Sequence, residues 1–295
     1  MSVAVDALET VPAINPRSRR RRLLWARFLR RKLAVACLVV IVFFVLAGVL
    51  APLVAPFGYK AVDFEHVLAH PSWRHLFGTD YLGRDVLSRL LWGARASMTV
   101  GLLATALGML VAVPLGLVAG YYGGWPDAAI ARGTDVMLAF PYVILAILLA
   151  AIIGPGLTTA IVALGIAAVP RMLRISRGES KSLREAEFVP AAVASGAGDV
   201  SIMFRHILPN MAPPLIVAAT LTIPNAIIGE AALAFLGLGI RIPDASWGIM
   251  LKDAQSYPQD PLLAVIPGVA IVLIALAFNV LGDALRDILD PKLTR

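Results

Sequence analysis

Residues 178–210, GESKSLREAEFVPAAVASGAGDVSIMFRHILPN, form a charged segment between two long apolar regions of the chain. One uncharged run occupies 136–170 before it, and a second begins after Arg205 and continues to 229. Charged residues are costly in hydrocarbon, so a segment of this kind joins membrane spans outside the bilayer. The segment therefore predicts a loop between two groups of transmembrane helices.

The composition of the chain indicates a polytopic membrane protein. Of 295 residues, 59% are hydrophobic and 15% are charged, so the apolar surface exceeds what one soluble core can bury. Further uncharged runs occupy 33–59, 96–126 and 261–282. Each is long enough to cross a bilayer, which takes roughly 20 apolar residues. The run at 136–170 is too long for one span, and Gly154-Pro155-Gly156 predicts a tight reversal inside it.

Six transmembrane helices are therefore predicted in an all-α chain. Their expected ranges are 33–56, 97–120, 134–153, 157–176, 212–239 and 262–283. The predicted organisation is a basic tail at 1–32, a first helix with an external loop at 33–96, a transmembrane core at 97–287 that contains the 178–210 loop, and a C-terminal tail at 288–295.

Basic residues predict the orientation of these spans. Nine Lys or Arg residues lie within 17–32, and positive charge beside a span is retained on the cytoplasmic side. Both termini and the 178–210 loop are then cytoplasmic, and 57–95 and 240–261 are external. The first external loop fits less well, because it contains Lys60, Arg74, Arg84 and Arg89. The net charge of +7 indicates topology and contact with anionic membrane lipids, with no nucleic acid as partner.

Sequence motifs for catalysis are absent from the chain. It has no G-x-x-x-x-G-K-[ST] motif, so it lacks the loop that holds nucleotide phosphates. It also lacks H-E-x-x-H and G-x-S-x-G. His66, His70 and His75 have a spacing that can hold a divalent ion, but we expect them to be solvated or loosely packed loop residues. Cys37 is the only cysteine, which excludes an internal disulfide.

The stretch PAAVASGAGDVSIMFRHILP at 190–209 resembles the signature of ABC importer permeases. That signature reads Glu-Ala-Ala, three residues, Gly, nine residues, an apolar residue, any residue and Leu-Pro. The positions that match are Ala191, Ala192, Gly196, Leu208 and Pro209. Two positions depart from it, since Pro190 replaces the glutamate and His206 replaces the first apolar residue. Glu187 is a candidate for the missing charge.

In that family the signature forms a short helix that docks on the ATP-binding subunit. The resemblance therefore implies a role in ATPase coupling for Glu187, Pro190, Ala191, Ala192, Gly196, Asp199, Arg205, His206, Leu208 and Pro209. Proline is accepted in the first turn of a helix, so the docking helix is predicted to begin near Pro190. Ala192 and Gly196 are one turn apart and are predicted to share a face.

Other segments extend the resemblance to the C-type permeases of the peptide and nickel branch. They are GTDYLGRDVLSRLLWGARASMTVG at 78–101, EAALAFLGLGI at 230–240, PDASWGIML at 243–251 and PGVAIVLIALAFNVLGDALRDILDPKL at 267–293. The implied fold is the type I ABC importer permease fold. The implied partners are a B-type permease, two ATP-binding subunits that hold ATP and Mg, and an extracytoplasmic solute-binding protein. The implied location is the bacterial inner membrane.

The resemblance implies a di- or oligopeptide substrate, with nickel or another small solute as the alternative. Two other classes of protein are less favoured. A secondary transporter is expected to show an inverted repeat with coupling-ion ligands, and a membrane-embedded enzyme needs a nucleophile, base or metal cluster at membrane depth. Neither feature is visible in the sequence.

Four residues within the predicted spans are candidates for the translocation pathway: Glu230, Asn225, Pro224 and Pro141. An acid inside a span is costly and usually faces a partner or a wet cavity, although Glu230 as a brace between helices is equally compatible with the sequence. The two prolines are predicted to bend their helices. Gly116 and Gly120 form a G-x-x-x-G pair that permits close helix contact.

Overall fold

A computed structural model of the protein describes residues 26–241 and 243–289, and these ranges are mostly helical. The parts of the predicted tails at 1–25 and 290–295 lie outside the described residues. The helices of the described ranges are α1 (Lys32–Val54), α2 (Val86–Tyr122), α3 (Gly124–Leu138), α4 (Tyr142–Ile153), α5 (Leu157–Arg184), α6 (Phe188–Ala194), α7 (Asp199–Phe235), α8 (Trp247–Ala254) and α9 (Leu262–Leu289). The all-α prediction is confirmed.

Five of these helices, α1, α2, α5, α7 and α9, are each long and apolar enough to cross a membrane. Several extend well beyond the predicted spans. α2 begins at Val86 instead of 97, α5 continues to Arg184, and α7 begins at Asp199 instead of 212. An uncharged run marks only the part of a helix that lies in hydrocarbon, whereas helical hydrogen bonding continues through charged residues, most of which are good helix formers.

The predicted third span, 134–153, is wrong as a single continuous helix. α3 and α4 meet at a bend of 88°, and Pro141 is the N-cap residue of α4. Proline has no N–H to continue the hydrogen bonding of α3, so the break falls where the ring prevents a regular helix. α4 alone is only roughly 18 Å long. The bend predicted at Pro141 is confirmed.

α2 and α5 lie parallel and very close together. A Cβ atom on Gly116 would lie 2.6 Å from the Ser176 Cβ, and one on Gly120 would lie 2.5 Å from the Ser180 Cβ. In each pair the glycine and the serine are 60 positions apart in the sequence. Because this separation stays the same from one pair to the next, the two helices run in the same direction. The Ser176 hydroxyl also donates a hydrogen bond to the Val113 carbonyl at 3.2 Å. The close contact predicted from Gly116 and Gly120 is confirmed.

This parallel packing decides how many times the chain crosses the membrane. The chain leaves α2 at one side and must return to the other side before α5 begins. α3 and α4 therefore make a crossing together, and the number of crossings is six. Both described ends then lie on the same side as α6, which we call the α6 face. An ion pair of 2.6 Å between Arg31 at the start of α1 and Asp287 near the end of α9 agrees with this arrangement.

Substitution of Gly120 by Ala tests the contact between α2 and α5. The new methyl group would lie within 2.6 Å of both the Ser180 Cβ and the Arg177 carbonyl oxygen. Overpacking of this kind costs about 1–3 kcal/mol, so we expect a lower midpoint of thermal unfolding for purified Gly120→Ala protein. Gly178→Ala is the matched control, because no atom lies within 4 Å of its added Cβ. An unchanged midpoint in Gly120→Ala would contradict the close parallel packing.

Candidate coupling surface and passage

α6 is a short helix whose inner side is anchored to two long helices. Val189 and Ala192 are buried in a cluster with Leu117 of α2 and with Ile202 and Ile207 of α7. The helix begins at Phe188, which places Pro190 in its first turn as predicted. A displacement of α6 is therefore transmitted to the ends of α2 and α7 through packed side chains.

Gly196 ends α6 through its backbone conformation. Its φ is +81°, its N–H donates to the Val193 carbonyl at 2.9 Å, and the Ala197 N–H donates to the Ala192 carbonyl at 3.0 Å. These two bonds form a Schellman motif, in which glycine is the favoured residue. The prediction that Ala192 and Gly196 share a helical face is wrong, because the helix ends at Ala194. Ala192 is buried, whereas Gly196 is exposed.

The outer side of α6 and the first turns of α7 expose apolar side chains. Val193, Val200 and Phe204 are 55%, 65% and 55% exposed. Beside them lies an open cleft of about 480 Å³, lined by Tyr121, Tyr122, Arg184, Val189, Pro190, Val193 and Ala194. We call the surface formed by Pro190, Val193, Val200 and Phe204 the coupling patch. Exposed apolar patches of this kind are typical of sites that contact another protein or the membrane.

The remaining predicted coupling residues surround this patch or support it. Glu187, Ala191, Asp199, Arg205 and Pro209 are exposed, and His206 and Leu208 are half-buried. The Asp199 carboxylate accepts a hydrogen bond of 2.9 Å from the Tyr121 hydroxyl, which joins α7 to α2. Residues Ile202–Ile207 are π-helical. The Pro209 ring would crowd the Arg205 carbonyl in a regular helix, and the wider turn avoids this contact.

Glu230 lies in the interior of this subunit. Its side chain is 0% exposed, and its Oε2 accepts a hydrogen bond of 3.1 Å from the Ser97 hydroxyl of α2. The Ser97 oxygen in turn accepts from the Trp247 N–H at 3.3 Å, and Ser246 caps the start of α8. Glu230 thus connects α7, α2 and α8, which favours its role as a brace over a place in the passage.

Asn225 and the residues on either side of Pro141 lie at a different place. A cavity of about 220 Å³ separates the α3–α4 bend from α5 and α7, and its wall includes Leu138, Phe140, Tyr142, Arg171, Thr222 and Asn225. Asn225 is exposed, whereas Pro224 is buried and α7 remains helical through it. Of the four pathway candidates, Asn225 therefore lines an open cavity, and Pro141 shapes the bend beside it.

A buried ionic cluster that was not predicted from the sequence lies on the side opposite α6. Arg84 Nε lies 2.6 Å from Asp80 Oδ2, and Arg84 Nη2 lies 3.1 Å from Asp253 Oδ2. Arg89 Nη2 lies 3.4 Å from the same Asp253 oxygen. Burial raises the pKa of Asp253, against the opposing charges of Arg89 and Arg84. These pairs neutralise two of the cations that made the first external loop fit the charge rule poorly. The four-residue spacing of Asp80 and Arg84 is a sequence signal for the ion pair between these two residues.

His66 and His75 each have an acidic partner. His75 is buried, and its Nδ1 lies 3.0 Å from Asp85 Oδ1. The expectation that it is solvated is therefore wrong. His66 pairs with Asp63 at 3.0 Å, and His70 is exposed.

Comparison with known proteins identifies the family of this chain. Residues 112–295 match the family described as binding-protein-dependent transport system inner membrane component. Residues 20–71 match the N-terminal transmembrane domain of oligopeptide transport permease C. The chain belongs to the binding-protein-dependent ABC importer permeases. Such proteins are transport permease subunits, and this one is a multi-pass membrane protein.

Similar proteins cover nearly the whole permease. The dipeptide transport system permease protein DppC of Alkalihalophilus pseudofirmus is 45% identical over 90% of this chain and 87% of that protein. The glutathione transport system permease protein GsiD of Pectobacterium atrosepticum is 41% identical over 97% and 96%. The di/tripeptide transport system permease protein DppC of Pseudomonas aeruginosa is 40% identical over 91% of each.

A solved structure supports the fold of the permease. The inward-facing MetNI methionine ABC transporter matches with a TM-score of 0.57 at 20% identity, over 68% of this chain and 96% of that chain. The predicted type I permease fold is confirmed.

Two substitutions of Glu230 separate a brace from a pathway residue. Glu230→Gln preserves the volume of the side chain and a hydrogen bond to Ser97, so we expect little change in thermal stability or transport. Glu230→Ala leaves a cavity and unpaired buried hydroxyls, and we expect a loss of about 2–5 kcal/mol of stability. Thermal unfolding and solute uptake are measured together. A transport defect in Glu230→Gln without loss of stability would contradict the bracing role.

Proposed function

We propose that this permease imports di- or oligopeptides across the bacterial inner membrane. The names of three similar proteins assign them to dipeptide, glutathione and di/tripeptide transport. The similarity extends over at least 90% of this chain in each case. It therefore includes the helices that surround the cavity at Asn225, as well as the coupling patch.

The observation that carries the coupling role is the two-sided character of α6. Val193 is exposed on its outer side, while Val189 and Ala192 are packed against α2 and α7 on its inner side. A short helix with an exposed apolar side and a packed inner side suits a contact that transmits force. We assign the coupling patch to docking of one ATP-binding subunit. ATP and Mg²⁺ then belong to two such subunits, and this chain supplies no catalytic group.

The exposed side of α7 supports a second permease as partner. Asn225, Ile228 and Phe235 are exposed and lie within about 80° of one another around the helix. The amide of Asn225 is a polar group beside the apolar side chains of Ile228 and Phe235. A polar side chain at membrane depth usually faces a partner or a wet cavity. A B-type permease opposite α7 would close the passage, and a solute-binding protein would deliver peptides at the side opposite α6.

In this mechanism the ATP-binding subunits move the permeases as rigid bodies. ATP binding closes the two ATP-binding subunits and draws the two docking helices together. The packed contact of α6 with α2 and α7 passes this movement to the spans, and the passage opens to the outside. Hydrolysis of ATP restores the inward-facing state.

Substitution of Val193 by Glu tests the coupling patch. A carboxylate in a desolvated contact is costly, so we expect association with the ATP-binding subunit to weaken by about tenfold or more. Co-purification and peptide-stimulated ATPase activity measure the effect. Val62→Glu is the matched control, because Val62 is also exposed but lies at the opposite side of the molecule. Equal association of both variants with the ATP-binding subunit would contradict the assignment.

Labelling of single cysteines tests the orientation. Cys37→Ser removes the only native thiol, and Ser256 and Ser195 are exposed positions at opposite sides of the membrane. We expect a membrane-impermeant maleimide to label Ser256→Cys in intact cells and Ser195→Cys only after permeabilisation. Labelling of Ser195→Cys in intact cells, with labelling of Ser256→Cys only after permeabilisation, would contradict the cytoplasmic location of the α6 face.

A further inference from the structure

The cavity beside Asn225 contains an arginine without an acidic partner. Arg171 of α5 lines this cavity of about 220 Å³ together with Asn225 of α7. Within residues 26–241 and 243–289, no carboxylate forms an ion pair with Arg171. The next arginines of α5 differ in this respect. Arg174 lies 3.0 Å from Asp135, and Arg177 is paired with Asp127.

The position of Arg171 makes this lack of a partner significant. Arg171 is 14 residues from the start of α5 at Leu157, or roughly 21 Å along the helix axis. Asn225 is 10 residues from the end of α7 at Phe235, or roughly 15 Å. When the hydrocarbon core, about 30 Å thick, is measured from these two helix ends, Asn225 lies near its middle and Arg171 lies beyond the middle, towards the α6 face. A guanidinium at this depth is costly unless it faces water or an anion.

The neighbouring polar groups suit an anion of limited size. The Asn225 amide donates one N–H to the Leu221 carbonyl at 2.8 Å, which leaves its second amide hydrogen available. The Thr222 hydroxyl already donates its one hydrogen to the Ala218 carbonyl at 2.7 Å, so the Asn225 amide is the donor that we assign beside Arg171. Leu138, Phe140 and the Tyr142 ring form an apolar wall on the other side. The guanidinium fork matches the geometry of a carboxylate.

We propose that Arg171, assisted by Asn225, binds the C-terminal carboxylate of the transported peptide, and that the apolar wall receives its last side chain. This site rests on the proposed import of peptides. It gives the permease a selectivity of its own for a free carboxyl terminus, in addition to any selectivity of the binding protein. Arg171 is then paired with a carboxylate only while a peptide is bound. This accounts for an arginine at this depth that has no acidic partner within the described part of the subunit.

The complete transporter in proteoliposomes tests this site. Uptake of Ala-Ala is compared with uptake of its C-terminal amide, each at a concentration that saturates the binding protein. In the wild type we expect Ala-Ala to be transported faster. In Arg171→Gln we expect the ratio of the two rates to fall about tenfold or more towards one, since a charge-assisted bond is lost. Arg171→Lys keeps the charge without the planar fork, so it should retain part of the preference.

Arg174→Gln is the matched control, since Arg174 is also exposed on α5 but does not line the cavity. We expect it to keep the wild-type ratio. Equal loss of both rates in Arg171→Gln, with the ratio unchanged, would mean that Arg171 pairs with a lipid phosphate or a partner acid, and would overturn the carboxylate site alone. Absence of uptake of both compounds by the wild type would overturn the peptide function itself.

Photo-crosslinking gives a second measurement if the binding protein does not retain the amide. A dipeptide with a diazirine in its C-terminal side chain is delivered to the same transporter. We expect crosslinks to residues of the apolar wall in the wild type and in Arg174→Gln, and their loss in Arg171→Gln. Crosslinks that persist in Arg171→Gln would overturn the proposal.

Discussion

The close parallel contact between α2 and α5 is the constraint on which the arrangement of this permease depends. Glycine on one helix faces serine on the other at Gly116–Ser176 and Gly120–Ser180, so the two backbones approach closely. Small residues allow this approach where lipid provides no hydrophobic force between helices. Because the two helices are parallel, the chain between them must cross the membrane. The bent pair α3 and α4 performs that crossing and forms one side of the cavity at Asn225.

The same contact between α2 and α5 fixes the place of α6. α2 and α5 end together at the α6 face, where α6 follows α5 after three residues. Leu117 of α2 packs in the cluster that holds Val189 and Ala192 of α6, and Tyr121 bonds to Asp199 of α7. A force on α6 therefore acts on three spans at once. In the proposed mechanism, this arrangement allows a seven-residue helix to act on helices that extend to the other side of the membrane.

Apolar runs and motif spacing predicted the helical class, five of the spans and the position of the short helix α6. With Pro141 they predicted a bend in one span, but not the 88° break that divides α3 from α4, because an uncharged run reports the composition of a span and does not show where a helix ends. They also placed Gly196 on the helix, since residue spacing cannot show the positive φ that ends α6. The pairing of Arg84 with Asp253 joins residues far apart in the sequence, and no local pattern contains that contact.

The charged residues at membrane depth differ in what they face, and this difference separates structural from functional groups. Glu230 is enclosed by α2, α7 and α8 and is hydrogen-bonded by Ser97, so its charge or proton serves the packing of this subunit. Arg171 is exposed to a cavity, and in the described part of the chain no acid neutralises it. Both residues interrupt apolar stretches and look alike as a sequence feature. For Glu230, the Ser97 hydroxyl offsets part of the cost of a polar group in the membrane inside the subunit, whereas in the proposed site the carboxylate of the transported peptide offsets that cost for Arg171.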